Sequence, residues 1–317
     1  MKSEYTPQKI LIPLDGSEYS KRAVQLAGNL GVHLKENLSG ITLLHVTPTS
    51  YLSRRTGYID FRVEDLKQSN AFKKLKDQYI EEKISPFLNE GEKILRDSGI
   101  GVRIEKLVAD GDPAEEIVRI AGEEKFSTII MGRRGLSGMK SFFLGSVTVR
   151  VTGHAFCNVI IVPLDAKIEF RNILIATDGS RYSNAAASQA MNIAKHNGAN
   201  LIAVSVVPSE LLSPLDIVQS EMQRELINEE EIKEAEKNVK YVKELAEKEG
   251  LNVHGFILAG KPYDAIIDTA KKKDVDLIVI GSHGKTGFEK FLVGSVAERV
   301  IILSPCAVLV VKMLREI

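Results

Sequence analysis

The chain has 317 residues, 44% hydrophobic and 26% charged, proportions that allow a folded protein with a buried core. Lys+Arg and Asp+Glu are both 42, and this zero formal net charge gives no support to a nucleic-acid or membrane-surface role. Apolar runs such as residues 307–311 are too short to span a bilayer, the polar first seven residues lack a signal-peptide core, and two cysteines make no disulfide framework. A cytoplasmic protein without membrane insertion is expected.

Residues 10–14 read as a buried strand from their apolar, β-branched content, and Asp15-Gly16-Ser17 as a turn with a helix-capping candidate. Ala23, Leu26, Ala27 and Leu30 then mark one helical face. Residues 41–46 form the second strand, a long helical region interrupted by Pro86 follows, and residues 102–108 form the third strand. Asp112-Pro113 opens a helix with proline near its first position, where the missing N–H costs little. A fourth strand, a glycine-rich turn, a helix and a last strand at residues 159–162 complete the unit.

The unit then repeats. Lys9-Ile10-Leu11-Ile12-Pro13-Leu14-Asp15-Gly16-Ser17 resembles Asn172-Ile173-Leu174-Ile175-Ala176-Thr177-Asp178-Gly179-Ser180, and Gly111-Asp112-Pro113 matches Gly260-Lys261-Pro262. The offset between copies is 163 at Asp15/Asp178, 160 at Pro48/Pro208 and 149 from Gly111/Gly260 onward. The first half therefore carries 3 extra residues before Pro48 and 11 more before Gly111. The boundary falls near residue 166, giving domains 1–166 and 167–317, with a linker short enough to pack the halves together. In the second half Ile232, Ala235, Val239, Val242 and Ala246 form the apolar stripe of a long core helix. Alternating strands and helices imply parallel sheets covered on both faces, with ligands at the carboxyl ends of the strands. Asp15, Val46 and Gly132 lie at such ends, as do Asp178, Val206 and Gly281.

The glycine turn has the spacing G-x2-G-x2-G-x6-G-S in both halves: Gly132, Gly135, Gly138, Gly145-Ser146, and Gly281, Gly284, Gly287, Gly294-Ser295. A strand, a glycine turn and a helix start can hold an anion on backbone N–H groups, the glycines supplying curvature and close approach. Tight βα turns alone would use the same residues. A P-loop is excluded because Val279 stands where its first glycine is required, and no G-x-G-x-x-G follows either first strand. Asp15 and Asp178 suit a ribose hydroxyl, an adenine edge or a magnesium shell; each also suits a turn or helix cap. Arg133, Arg134 and Lys285 could meet phosphates or remain solvated. His45 reads as structural, and His283 has Arg134 as its counterpart, so it is no repeated base. Cys157 and Cys306 read as packed thiols. Neither half offers a metal-ligand cluster or a nucleophile–base set, which favours binding over catalysis.

At these residues the chain resembles the universal stress protein family in its tandem form. The most specific element is G-x2-G-x9-G-[ST], met in both halves, which in the family marks members that bind ATP. The resemblance implies five-stranded parallel sheets of order 3-2-1-4-5 between helices, an adenine nucleotide alpha-hydrolase-like fold, with domains pairing through their last strands. It places adenine near Pro13, Asp15 and Val46, ribose and phosphates near Met131, Gly132 and Gly135, and phosphates on Gly145, Ser146 and Val147. The matching second-half positions are Asp178, Val206, Ile280, Gly281, Gly284, Gly294, Ser295 and Val296. Ala176 replaces Pro13 and Ile280 replaces Met131, while Thr148-Val149-Arg150-Val151-Thr152 departs from the family pattern that residues 294–300 follow.

The expected protein is thus a stress-response module binding ATP, ADP or AMP at one site per domain, with magnesium as a companion ion and at most weak ATPase activity. Intramolecular domain pairing is expected, with a homodimer as a further assembly. A slow Mg-dependent hydrolase using Asp15 or Asp178 is one alternative. A scaffold with degenerate sites, contacting a partner through the 11-residue insertion somewhere in residues 51–101 and tested by deleting residues 54–60, is the other.

Overall fold

The computed structural model describes residues 8–34, 37–48, 70–136, 144–208, 229–285 and 293–313. Gly138, Gly287 and residues 54–60 lie outside them. The first half runs β1 (Gln8–Pro13), α1 (Glu18–Leu34), β2 (Leu38–Thr47), α2 (Asn70–Tyr79), a π turn (Ile80–Ile84), α3 (Ser85–Asp97), β3 (Ile104–Asp110), α4 (Pro113–Glu123), β4 (Thr128–Gly132), α5 (Ser146–His154) and β5 (Asn158–Val162). The second runs β6 (Asn172–Ala176), α6 (Arg181–Asn197), β7 (Asn200–Pro208), α7 (Glu229–Lys248), β8 (Val253–Gly260), α8 (Pro262–Lys272), β9 (Leu277–Gly281), α9 (Ser295–Leu303) and β10 (Ala307–Val311).

The strands form one ten-stranded sheet of order β3-β2-β1-β4-β5-β10-β9-β6-β7-β8. Each half has the expected order 3-2-1-4-5 and is parallel throughout. The halves join antiparallel, with Val308 opposite Ile161, Leu309 opposite Ile160 and Val310 opposite Val159. Strand alternation sends Ile160, Ile130 and Leu309 to one face and Val159, Ile161, Val308 and Val310 to the other. The first face is covered by α1, α3, α6 and α7, and the second by α4, α5, α8 and α9. Both cores run unbroken from one half into the other, and α1 packs against α6 across the seam. The linker is built in: Ala166 and Phe170 are buried, and Arg22 of α1 donates to the Ala166 carbonyl. Among the described residues no helix is long and apolar enough to cross a membrane.

Two local expectations are corrected. Pro86 does not interrupt the helical region. The helix widens into the five-residue π turn just before it, where Ser85 N–H donates to Ile80 C=O, and Pro86 then sits in the first turn of α3. Proline has no N–H and its ring crowds the carbonyl four residues back; a wider turn relieves both problems. The 10-residue α2, this π turn and the 13-residue α3 stand against the 20 residues of α7, so the helix itself absorbs most of the first half's extra length. The third strand starts at Ile104, two residues later than the apolar pattern suggests. Arg96 donates to the carbonyls of Ile100 and Val102, holding that segment against α3.

Ile160 is fully buried at the centre of the seam. Ile160→Ala should lower the unfolding free energy by about 2–5 kcal/mol through lost burial and a residual cavity. The urea midpoint measures it, and an unchanged midpoint would show the halves do not share this core.

Candidate functional site

Between β1 and β4 the strand order reverses, and the chains leaving them go to opposite faces: α1 to one, the glycine turn and α5 to the other. That divergence opens a crevice at the carboxyl end of the sheet. β6 and β9 repeat it in the second half. Pro13, Met131 and Gly132 end β1 and β4, Asp15 follows β1, and Val46 lies in the last turnward residues of β2. Gly145, Ser146 and Val147 start α5. In the second half Asp178 follows β6, Val206 is near the end of β7, Ile280 and Gly281 end β9, and Gly294, Ser295 and Val296 start α9.

One carboxylate ties each crevice together. Asp15 Oδ1 accepts the Ser17 N–H at 3.0 Å and the Ser17 hydroxyl at 2.6 Å, while Oδ2 accepts the Leu136 N–H at 3.0 Å. Asp178 Oδ1 accepts the Ser180 N–H and its Oδ2 the Lys285 N–H, each at 3.0 Å. Each aspartate is therefore a turn residue, as its sequence context allows, and also a latch onto the glycine turn 121 or 107 residues away. The latch explains the second glycine of the motif. A Cβ on Gly135 would run into Asp15 Oδ2, and one on Gly284 would lie 2.7 Å from Asp178 Oδ2.

The first glycine answers to helix packing. A Cβ on Gly132 would lie 2.7 Å from Tyr19 Cβ and 2.8 Å from the Tyr19 carbonyl carbon; one on Gly281 would lie 2.7 Å from Tyr182. Gly132, Gly135, Gly145, Gly281, Gly284 and Gly294 are absent from the positive-φ positions. Close approach, not left-handed curvature, is what Gly132, Gly135, Gly281 and Gly284 provide, whereas a Cβ on Gly294 would make only ordinary contacts at 3.5 Å.

Val46 presents a backbone edge. Leu44 C=O accepts Leu14 N–H on the β1 side, and Thr47 C=O accepts Gly111 N–H on the β3 side. Alternation along a strand therefore turns the N–H and C=O of Val46 toward the crevice, one step past the last β1 pairing at Pro13/Leu44. In the second half Val204 C=O accepts Thr177 N–H, and Val206 takes the same orientation.

The helix starts supply donors. Gly145 N–H is bonded to Arg133 C=O at 3.1 Å and Val149 N–H to Gly145 C=O at 2.9 Å, so the N–H groups of Ser146, Val147 and Thr148 have no partner within the helix. Gly294 and α9 repeat the pattern. Neither N-cap has a side chain to satisfy them, whereas Asp112 caps α4 and Ser180 caps α6. The divergent stretch in α5 packs well: Thr148 hydroxyl donates to Gly132 C=O at 3.1 Å and Thr152 hydroxyl to Thr148 C=O at 2.6 Å, both buried.

The nearby charges divide. Arg133 points away from the crevice and donates to the carbonyls of Ile302 and Ser304 in the other half. Burial lowers its pKa, with the Arg134 charge adding to the effect. The loop cation Lys285 pairs with Glu234 of α7. His283 is bonded to the Ser282 hydroxyl at 3.1 Å through Nδ1. His45 shares a 2.8 Å bond with Leu14 C=O through Nδ1 and packs edge-on against Phe87; burial pushes its pKa below the ordinary 6.5. Burial raises both cysteine thiols to about 11, in keeping with packed thiols. Among the described residues no group of three or more His, Cys, Asp or Glu is placed to hold a metal.

Gly132→Ala and Gly281→Ala should each cost about 1–3 kcal/mol in urea unfolding, because backbone at Tyr19 or Tyr182 must shift. A neutral result would mean the helix and strand are not in this contact. His45 gives a pH test. Its folded pKa lies below the unfolded value of 6.5, so the native state binds fewer protons and stability falls as pH drops below 6.5. Between about pH 7.5 and about pH 5.5, His45→Gln should lose less stability than the parent. Equal losses would show that His45 is not held neutral.

The family model described as universal stress protein family matches residues 6–163 and again 169–312. A universal stress protein of Methanocaldococcus jannaschii is 46% identical over 143 residues, 45% of this chain and 82% of that protein. YxiE, a universal stress protein of Bacillus subtilis, is 34% identical over 162 residues, 49% of this chain and 97% of that protein. In fold, a universal stress protein from Archaeoglobus fulgidus matches 99% of both chains with a TM-score of 0.68 and 24% identity. One universal stress protein, aligned with 45% of this chain at 26% identity and a TM-score of 0.35, was solved in complex with cAMP. The two matched segments together span nearly the whole chain, and the protein belongs to the universal stress protein family with the family domain in tandem.

Proposed function

We propose that the protein binds ATP or a related adenine nucleotide at one site in each of the domains 1–166 and 167–317. The observation that carries this reading is the pair of uncapped helix N-termini, at Gly145-Ser146 and Gly294-Ser295, facing the same crevice as a carboxylate and an unpaired strand edge. Three unpartnered N–H groups and a serine hydroxyl at a positive helix end suit a phosphate. The Val46 or Val206 edge offers one donor and one acceptor side by side, as an adenine edge requires. Asp15 and Asp178 can only accept when ionised, which suits a ribose hydroxyl or an exocyclic amine.

Nucleotide would act as a regulator in the cytoplasm, through different affinity for two states of the protein or its assembly. Both oxygens of Asp15 and of Asp178 already accept protein donors, which weighs against a dedicated magnesium shell. If magnesium accompanies the nucleotide, phosphate oxygens would supply most of its ligands.

Calorimetric titration of the full chain should show ATP or ADP binding below about millimolar concentration, and its absence there would remove the reading. Gly145→Val and Gly294→Val should each abolish one site by covering the first-turn N–H groups, with the circular dichroism spectrum unchanged. A double variant that titrates like the parent would show the glycine turns are misassigned.

A further inference from the structure

Arg133 is the second residue of the first glycine turn; its backbone N–H, its backbone C=O and its Nη1 are each bonded, while its Nε is buried with no partner. Its N–H donates to Val162 C=O at 2.8 Å, at the end of β5. Its C=O accepts the N–H of Gly145, the residue that starts α5. Its guanidinium crosses the seam, where Nη1 donates to Ser304 C=O at 2.8 Å and Ile302 C=O at 3.3 Å. Those carbonyls end α9, and the other end of α9 is Gly294-Ser295 in the second crevice. A nine-residue helix is a rigid rod about 13 Å long.

The link is not mirrored. Ser282 replaces Arg133 in the second turn, and its hydroxyl stays with His283. The end of α5 does receive a cation, since Lys312 Nζ lies 3.4 Å from Gly153 C=O, but Lys312 follows β10 and belongs to neither glycine turn. Only the first crevice reaches the helix of the second through its own loop among the described residues.

We propose that Arg133 couples the two nucleotide sites, so that filling the first tightens the second. The inference rests on the nucleotide reading above. Phosphate on the Ser146 and Val147 N–H groups fixes the start of α5, and with it the Gly145–Arg133 bond that orients the guanidinium. A cation at the C-terminus of α9 and an anion at its N-terminus are both favoured by the helix dipole. The two states are the guanidinium seated on Ile302 and Ser304, as here, and the guanidinium released. By linkage the effect is reciprocal: filling the second site tightens the first by the same factor.

The test is ATP titration of the full chain, comparing second-site affinity in the parent with that in Gly145→Val, whose first site is blocked. The parent should bind at least about fivefold tighter at the second site, the lower end of common coupling factors. In the Arg133→Met background the same comparison should give a ratio near one. Arg133→Lys, which keeps the charge on a shorter side chain, should fall between. Hydrogen exchange without nucleotide gives a second readout: amides of residues 300–303 should exchange faster in Arg133→Met, and a merely destabilised fold would speed exchange in the β1–β2 core as well. Two independent sites in the parent, or coupling that survives Arg133→Met, would overturn the proposal and leave nucleotide binding standing. A parent that binds no ATP would overturn both.

Discussion

A parallel sheet ending in Val159, Ile160 and Ile161 would leave a row of unpaired backbone groups flanked by apolar side chains, and so would one ending in Val308, Leu309 and Val310. Pairing the two rows antiparallel removes both edges and merges the cores above and below the sheet. The relation between the two halves follows from that seam. It fixes the distance between the two crevices, places the C-terminus of α9 within reach of Arg133, and brings Lys312 to the end of α5. It also gives the half-buried Arg133 guanidinium two carbonyl acceptors for Nη1 at a negative helix end.

Within each crevice the organising contact is a carboxylate. Asp15 and Asp178 hold a turn with one oxygen and a distant glycine turn with the other. The adjoining layer has diverged around this constant. In the first half His45 packs on Phe87 beside Gly16, and in the second Ser205 meets Asn238 beside Gly179. A histidine–aromatic contact and a hydroxyl–amide contact fill the same place beneath similar turns. The two crevices thus share their donors and acceptors while resting on supports with different titration behaviour.

Much of the fold was legible because its signals are local. Residues 10–14 and 159–162 are apolar runs of strand length, Ala23, Leu26, Ala27 and Leu30 share one helix face, and the 149-residue offset recurs from Gly111 onward. Asp112 caps α4 as its Asp-Pro context suggests. Where local signals compete, the reading slipped. Pro86 looks like a break until a π turn is allowed for, and the apolar Val102 looks like strand until Arg96 is seen to hold its carbonyl. The available hint about Arg133 was that the other copy has serine there. A charged loop residue next to glycine gives no sign that its partner lies 171 residues away.

Sequence by itself determined the duplication, the order of elements and the set of residues at the carboxyl ends of the strands, because periodicity and repeat spacing are properties of the chain alone. It also limited the chemistry, since the failed P-loop and dinucleotide spacings leave the glycine turns and helix starts as the anion-friendly device. Tertiary structure decided what each glycine is for. Gly132 makes room for the backbone at Tyr19, Gly135 for the Asp15 carboxylate, and Gly145 leaves a helix end uncapped, although all three look alike in the chain. It also decided that Arg133 leaves its own crevice for the other half. The roles of Gly132 and Gly135 depend on packing within the first half and the Arg133 contact on the antiparallel seam, and each brings together residues more than a hundred positions apart.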